Sequence, residues 1–232
     1  MKFKSILRAL SVFVVFVFSN IQVQAKDTEK KYEITSECIT ENEVKVCRIK
    51  ALRDIGDYIK KGDLGGFIQS ENNLSHKGDS WVADAAIVYG SGAIFDDAKV
   101  FGNAKIYGEA TILDYAAIFD NAEIYGGAII SGNAKVFGNA KVDSAEVYGN
   151  ALVYDNAHIS DYAIILDDVE VFNNAKIHDG PILMQMAMVC GNAEISGNVL
   201  INGNLQVAGD NKIFGYIDAS NIKRATNISG RR

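Results

Sequence analysis

The sequence predicts an all-β fold: one chain wound as a triangular parallel β-helix of about eight 18-residue coils, behind a small N-terminal β-hairpin. Three observations predict it. From Ser80 onward, a small residue followed two places later by Val, Ile or Leu recurs every six residues. Each aliphatic residue is followed, one residue on, by a pair such as Gly102-Asn103, Asp120-Asn121, Gly138-Asn139 or Asp155-Asn156. Sorting the hexads by threes places Asn103, Asn121, Asn139, Asn156, Asn174 and Asn192 in a single column.

The six-residue spacing selects strands. Residues two apart share a face of an extended chain, whereas on a helix they lie about 200° apart. Gly, Asn and Asp tolerate the left-handed conformation, so each pair marks a corner. Three hexads close a coil, and coils stacked at about 4.8 Å make residues 80–222 a prism about 38 Å long. The small residues, such as Ala86, Ala98, Ala104 and Ala110, fit the cramped corner interior. The aliphatic ones, such as Val88, Ile94, Val100 and Ile106, fill the middle of each side. One residue is missing at Val142-Asp143-Ser144-Ala145, yet the asparagine column survives it, so the deletion reads as a tightened corner.

The elements follow in chain order. Lys2, Lys4 and Arg8 precede an apolar run from Ala9 to Phe18, and Val23-Gln24-Ala25 supplies small residues at −3 and −1. That is the pattern of a secretory signal peptide, residues 1–25, cut after Ala25, and the run is too short for a membrane anchor. The expected location is therefore secreted or periplasmic, with no membrane span after signal removal. Residues 26–79 form a capping segment. Tyr32 to Leu52 alternates as a hairpin with Asn42-Glu43 at its turn, which sets Cys38 opposite Cys47. In an oxidising compartment that pair is expected as a disulfide. The capping segment covers the open edge of the first coil, which would otherwise invite end-to-end aggregation. The β-helix occupies 80–222, and 223–232 is a short tail.

Composition excludes several classes. One Pro against 21 Gly excludes collagen-like and Pro-rich sequence. The net charge is −6, falling to −9 once the three basic residues of 1–25 are removed, which argues against a nucleic-acid partner. Three Cys are too few for a disulfide scaffold, and Cys190 reads as an inert thiol.

The hexads resemble the hexapeptide-repeat, left-handed β-helix superfamily, which implies a left-handed coil. Strand chirality alone favours a right-handed crossover. The string Gly62-Asp63-Leu64-Gly65-Gly66-Phe67-Ile68, Glu71-Asn72-Asn73-Leu74-Ser75 and Gly78-Asp79-Ser80-Trp81-Val82, leading into the hexads, is similar to the YdcK-like family of bacterial and phage proteins. The resemblance covers nearly all of the mature chain. Some members carry only a provisional acetyltransferase label.

Hexapeptide acyltransferases need a catalytic base, usually His, and usually a loop thrown out from the coil. Here no loop interrupts the hexads, and the histidines are His76 in the cap and His158 and His178 on one side in neighbouring coils. A zinc site needs three converging histidines and only two approach each other. Asp96-Asp97, Asp114 and Asp167-Asp168 read as turn acids rather than a calcium ligand set, and Thr111 is nearly alone where an ice-binding face needs ranks of Thr. No cofactor and no metal are expected.

The outward residues distinguish the sides. One carries Ile87, Lys105, Glu123, Lys141, His158, Lys176, Glu194 and Lys212, a solvated charge ladder. The next carries Ile129, Ile164, Ile182 and Leu200, with Leu113, Leu166 and Met184 beside them. This apolar strip is covered by the N-terminal segment or serves as a homo-oligomer interface. The third carries the aromatic column Phe101, Phe119, Phe137, Tyr154 and Phe172, which stiffens the coil by stacking or offers a platform to a glycan. The expected function is an exported, non-enzymatic β-solenoid with a structural or adhesive role at the cell envelope. The alternative is a degenerate acyltransferase-like protein acting on an envelope saccharide.

Overall fold

The computed structural model describes residues 30–215 and, beyond them, strand backbone at 217–218, 224–225 and 228–229. The leader 1–25 and most of the tail lie outside the described residues. Among the described residues every hexad is a strand of two to four residues followed by a bend, and these strands stack in parallel within three sheets of 12, 9 and 8 strands, the first of which also takes in the antiparallel N-terminal strands. The chain is a β-solenoid of about eight turns. We name its sides by their outward residues: the charged, apolar and aromatic faces.

The hexad code is spatially literal. The aliphatic residues Val88, Ile94, Val100, Ile106 and their successors down to Ile213 are completely buried, as are the alanines at the small hexad position from Ala86 through Ala140. Successive coils pair 18 residues apart, as in Ile106 with Ile124 and Val100 with Ile118. The omitted residue falls at one corner. Tyr125 still pairs with Asp143 at 18, whereas Ile129 pairs with Glu146 at 17. Ser144 absorbs the change in a left-handed conformation (φ 49°) and takes a backbone hydrogen bond from Tyr162 of the next coil.

The corner acids acquire a reason that the hexad pattern alone did not supply. Asp84, Asp114, Asp120 and Asp167 take positive φ. Each accepts a hydrogen bond from the corner amide one coil below: Gly102, Gly132, Gly138 and Gln185 respectively, at 2.9 to 3.2 Å. A carboxylate receiving a backbone N–H satisfies a donor that the bend leaves outside the sheet.

The coil begins earlier than the regular hexads. β1 (Tyr32–Glu41) and β2 (Val44–Ala51) form the antiparallel hairpin, with Asn42 and Glu43 both at positive φ, as a two-residue turn of that hand requires. Strand β3 (Leu64–Ile68) pairs antiparallel with β2 but parallel with Ile87-Val88. Leu74 then bridges to Ile94, and Trp81-Val82 pairs with Lys99-Val100. Residues 64–82 are thus a coil with irregular corners. Gly65 and Gly66 are required by close approach, since a Cβ on either would lie 2.5 Å from the Val82 or Ala86 carbonyl oxygen.

Polar side chains seal the upper end. Lys31 is completely buried and donates to the Ser80 carbonyl and hydroxyl at 2.8 and 3.0 Å; burial pulls its pKa down to about 8. Buried Asn73 donates to the carbonyls of Gly92 and Gly90 at 2.7 and 3.1 Å. The Tyr32 hydroxyl donates to Leu74 O at 2.7 Å while its ring stacks on His76. The outermost strand of the charged-face sheet at this end is β1, which carries a register shift between Ile34 and Cys38 and the exposed acids Glu33 and Glu37. Bulges and charges of this kind discourage edge-to-edge pairing.

Candidate functional site

The apolar face is an eight-stranded sheet whose outward residues run in register through Thr111, Ile129, Glu146, Ile164, Ile182 and Leu200. Leu113, Leu166 and Met184 flank them, and all of these apolar residues are half-buried by their own neighbours in the stack. Phe95, at the upper end of the same flank, is 41% exposed. The carboxylate in this strip, Glu146, accepts a hydrogen bond from the Tyr148 hydroxyl at 2.8 Å. Burial, and then that carboxylate, push the phenol up to about 12.

The N-terminal hairpin packs elsewhere. Val46 and Phe67 form a small core with Ile87 and Tyr89 on the charged face, with Val44 and Tyr107 against it. Glu41 pairs with Lys105 at 2.6 Å, and Asn42 donates to the Tyr89 hydroxyl at 2.9 Å. Cys38 and Cys47 face each other across the hairpin and are disulfide-bonded. Arg48 lies over the Phe67 ring and donates to Gly65 O. The described contacts of this segment therefore lie on the charged face and on the upper end, clear of Ile129 to Leu200.

On the aromatic face the rings of Phe101, Phe119, Phe137, Tyr154 and Phe172 stack with centroids 4.8 to 5.0 Å apart and planes within 5°. Each interior ring therefore has both faces against another ring, so a sugar meets only ring edges along the shaft. At the adjacent corner the amides form a continuous ladder. Asn103 donates to Asn121, and the chain continues through Asn139, Asn156 and Asn174 to Asn192, at 3.0 to 3.2 Å. Asn192 donates to Asp210 at 2.8 Å, which ends the run.

Residues 145–161 match the family model described as YdcK Beta solenoid repeat. The chain carries a YdcK β-solenoid repeat. The matched YdcK segment is one coil of three hexads, Ala145-Val147, Ala151-Val153 and Ala157-Ile159, and starts at the tightened corner. No curated protein matches the sequence.

The YdcK coil and its successor bring together polar side chains of which the sequence placed only His178 and Glu194 on one side. Asp161, His178 and Asp179 each offer one ligand atom within 4.8 Å of the others, the one such group found among the described residues. His178 Nδ1 lies 2.8 Å from Asp179 Oδ2 and its Nε2 lies 3.2 Å from Glu194 Oε1. A carboxylate-held imidazole is a competent proton acceptor. This one sits at an outer corner whose two aspartates are exposed, and its nitrogens are already engaged. Glu194 is held below the usual carboxylate range by Lys212 and then by His178. His158 stands apart, between Lys141 and Lys176 in the register, with a buried Nε2 that lacks a protein partner; burial lowers its pKa.

Two features of the faces were not read from the sequence. Asparagines outside the long column also pair, Asn133 to Asn150 and Asn150 to Asp168, at 3.1 and 2.9 Å, so amide stacking is not confined to one side. Tyr89, Tyr107 and Tyr125 stack at 5.1 Å on the charged face. Both were visible at spacings of 17 or 18 residues. The sequence reading places the amide ladder on one side alone, and the structure corrects that: these shorter runs, of two or three members, give a weaker signal than six asparagines in a column.

Proposed function

We propose that this chain is an exported, non-enzymatic β-solenoid with a structural or adhesive role at the cell envelope, and that it self-associates through its apolar face. The observation that carries the reading is the strip Ile129, Ile164, Ile182 and Leu200, with Leu113, Leu166 and Met184, on a sheet face clear of the hairpin's contacts. Soluble monomers seldom leave an apolar patch of that extent unpartnered. Export is supported by the basic n-region, the short apolar run and Val23-Gln24-Ala25, and a Cys38–Cys47 disulfide suits the oxidising compartment that export implies.

Light scattering on the protein beginning at Lys26 tests the self-association. A dimer or trimer is expected, converted to monomer by Ile164→Glu together with Ile182→Glu. Their outward side chains make that pair of changes compatible with the fold. A wild-type mature protein that stays monomeric at high concentration overturns this reading of the apolar face.

A further inference from the structure

The aromatic column ends where it meets the N-terminal segment, and that end differs from its shaft. One coil above Phe101 the same outward position is Ala83, set by the pairing of Val82 with Val100 and by the Ala83 N–H donating to Val100 O. A methyl group thus stands where the stack would place its next ring. The N-terminal segment does not fill the space. It leaves an open-sided hollow of about 580 Å³ bounded by Tyr58, Ile59, Leu64, Trp81 and Phe101. Tyr58 and Leu64 at its rim are 91% and 56% exposed, and Phe101 at its floor is 37% exposed. Trp81 forms an almost fully buried wall.

We propose that this hollow is a binding slot for the planar ring of a small aromatic molecule of the phenol or indole class, which completes the column by stacking on Phe101. The volume is that of a small-molecule pocket, and the walls are the apolar and aromatic groups such pockets use. The spacing argues for a flat ring: the column repeats at 4.8 to 5.0 Å with planes within 5°, and Ala83 leaves the position one strand spacing above Phe101 without a ring. Asp63, Asp84 and Lys99 at the rim of the hollow keep hydrogen-bonding capacity beyond their contacts to Lys60 N, Gly102 N and Asp79 O, so a saccharide is the competing occupant that a titration must discriminate.

Trp81 is the single tryptophan of the chain, so its indole N–H is one isolated cross-peak in a proton–nitrogen NMR spectrum. Titration of the mature protein with phenol is expected to move that peak saturably, with cellobiose in a parallel arm leaving it in place. Ala83→Phe puts the chain's own ring over Phe101 and is expected to weaken phenol binding at least tenfold without loss of the folded spectrum. Phe101→Leu, which removes the stacking platform at nearly constant fold, is expected to do the same and decides the matter if Ala83→Phe does not fold. The proposal is overturned if phenol gives no saturable shift, or if the folded variants bind it as the wild type does. A stronger shift with cellobiose would reassign the slot to saccharides and overturn it equally.

Discussion

Replacing Asn139 by alanine tests the amide ladder quantitatively. Asn139 accepts from Asn121 at 3.1 Å and donates to Asn156 at 3.0 Å, so the change removes two hydrogen bonds from an exposed corner. A net intramolecular hydrogen bond is worth about 0.5–1.5 kcal/mol, and exposed amides that regain water sit at the low end, giving about 1 kcal/mol for the pair. Asn103 stands at the top of the run under Ala85 and makes one ladder bond, so Asn103→Ala should cost about half as much. The double variant Asn121→Ala with Asn139→Ala loses three bonds rather than four because the two share one. It should therefore be about 0.5 kcal/mol less destabilised than the sum of the singles. Urea unfolding reads these differences: with m of about 2–3 kcal/mol/M, 1 kcal/mol moves the midpoint by about 0.3–0.5 M. Equal losses at Asn103 and Asn139, or strict additivity in the double variant, would refute the claim that the amides act as a connected stack.

Three further outcomes are expected. Reduction of Cys38–Cys47, which closes a loop of separation nine, should loosen the hairpin by about 2.6 kcal/mol on the chain-entropy model; hydrogen exchange should show this at β1 and β2 with the solenoid unchanged. Gly66→Ala should cost at least the 1–3 kcal/mol typical of overpacking, because its Cβ would meet Ala86 O at 2.5 Å; a thermal midpoint equal to wild type would contradict the close approach of the first two coils. Burial lowers the folded-state pKa of His158 and His76 below 6.5, so the unfolded chain binds protons first as pH falls. Their contribution to stability is full above about pH 6.5 and is lost below it, and His158→Gln should reduce the slope of the urea midpoint between pH 7 and 5.5.

The solenoid was legible because its physics is repeated. A residue that points inward in one coil points inward in all of them, so Ala104 and Ile106 make the same statement as Ala122 and Ile124, and a weak local preference becomes a column. The asparagine column was legible for the same reason, and its hydrogen bonds join the residues that the spacing aligned. The hairpin was legible from a different signal, a turn pair that set two cysteines opposite one another. The coil at 64–82 was not, because its corners depart from the six-residue spacing: Ile68 to Leu74 keeps it, but Leu74 to Val82 takes eight residues. Gly66 and Ser80 hold the small position there instead of alanine, so the pattern dissolves although the geometry continues. The carboxylate setting of His178 was equally hidden, since Asp161 and Glu194 reach it only through stacking of adjacent coils.

These cases locate function in a molecule of this kind. Along the shaft of a solenoid each outward group is covered above and below by its own equivalents, so its faces and hydrogen-bonding atoms are largely occupied by the repeat. The phenylalanine rings cover one another, the asparagines bond one another, and Lys141 bonds Glu123. Free capacity arises where a column stops. Ala83 stops the ring column and Ala85 stops the amide column, in the same coil and beside the same irregular cap, which leaves the upper face of Phe101 and the Asn103 carbonyl oxygen without their equivalents above. Two interruptions two residues apart, beside a segment that leaves the space above Phe101 open, are what a stack needs in order to accept something other than itself.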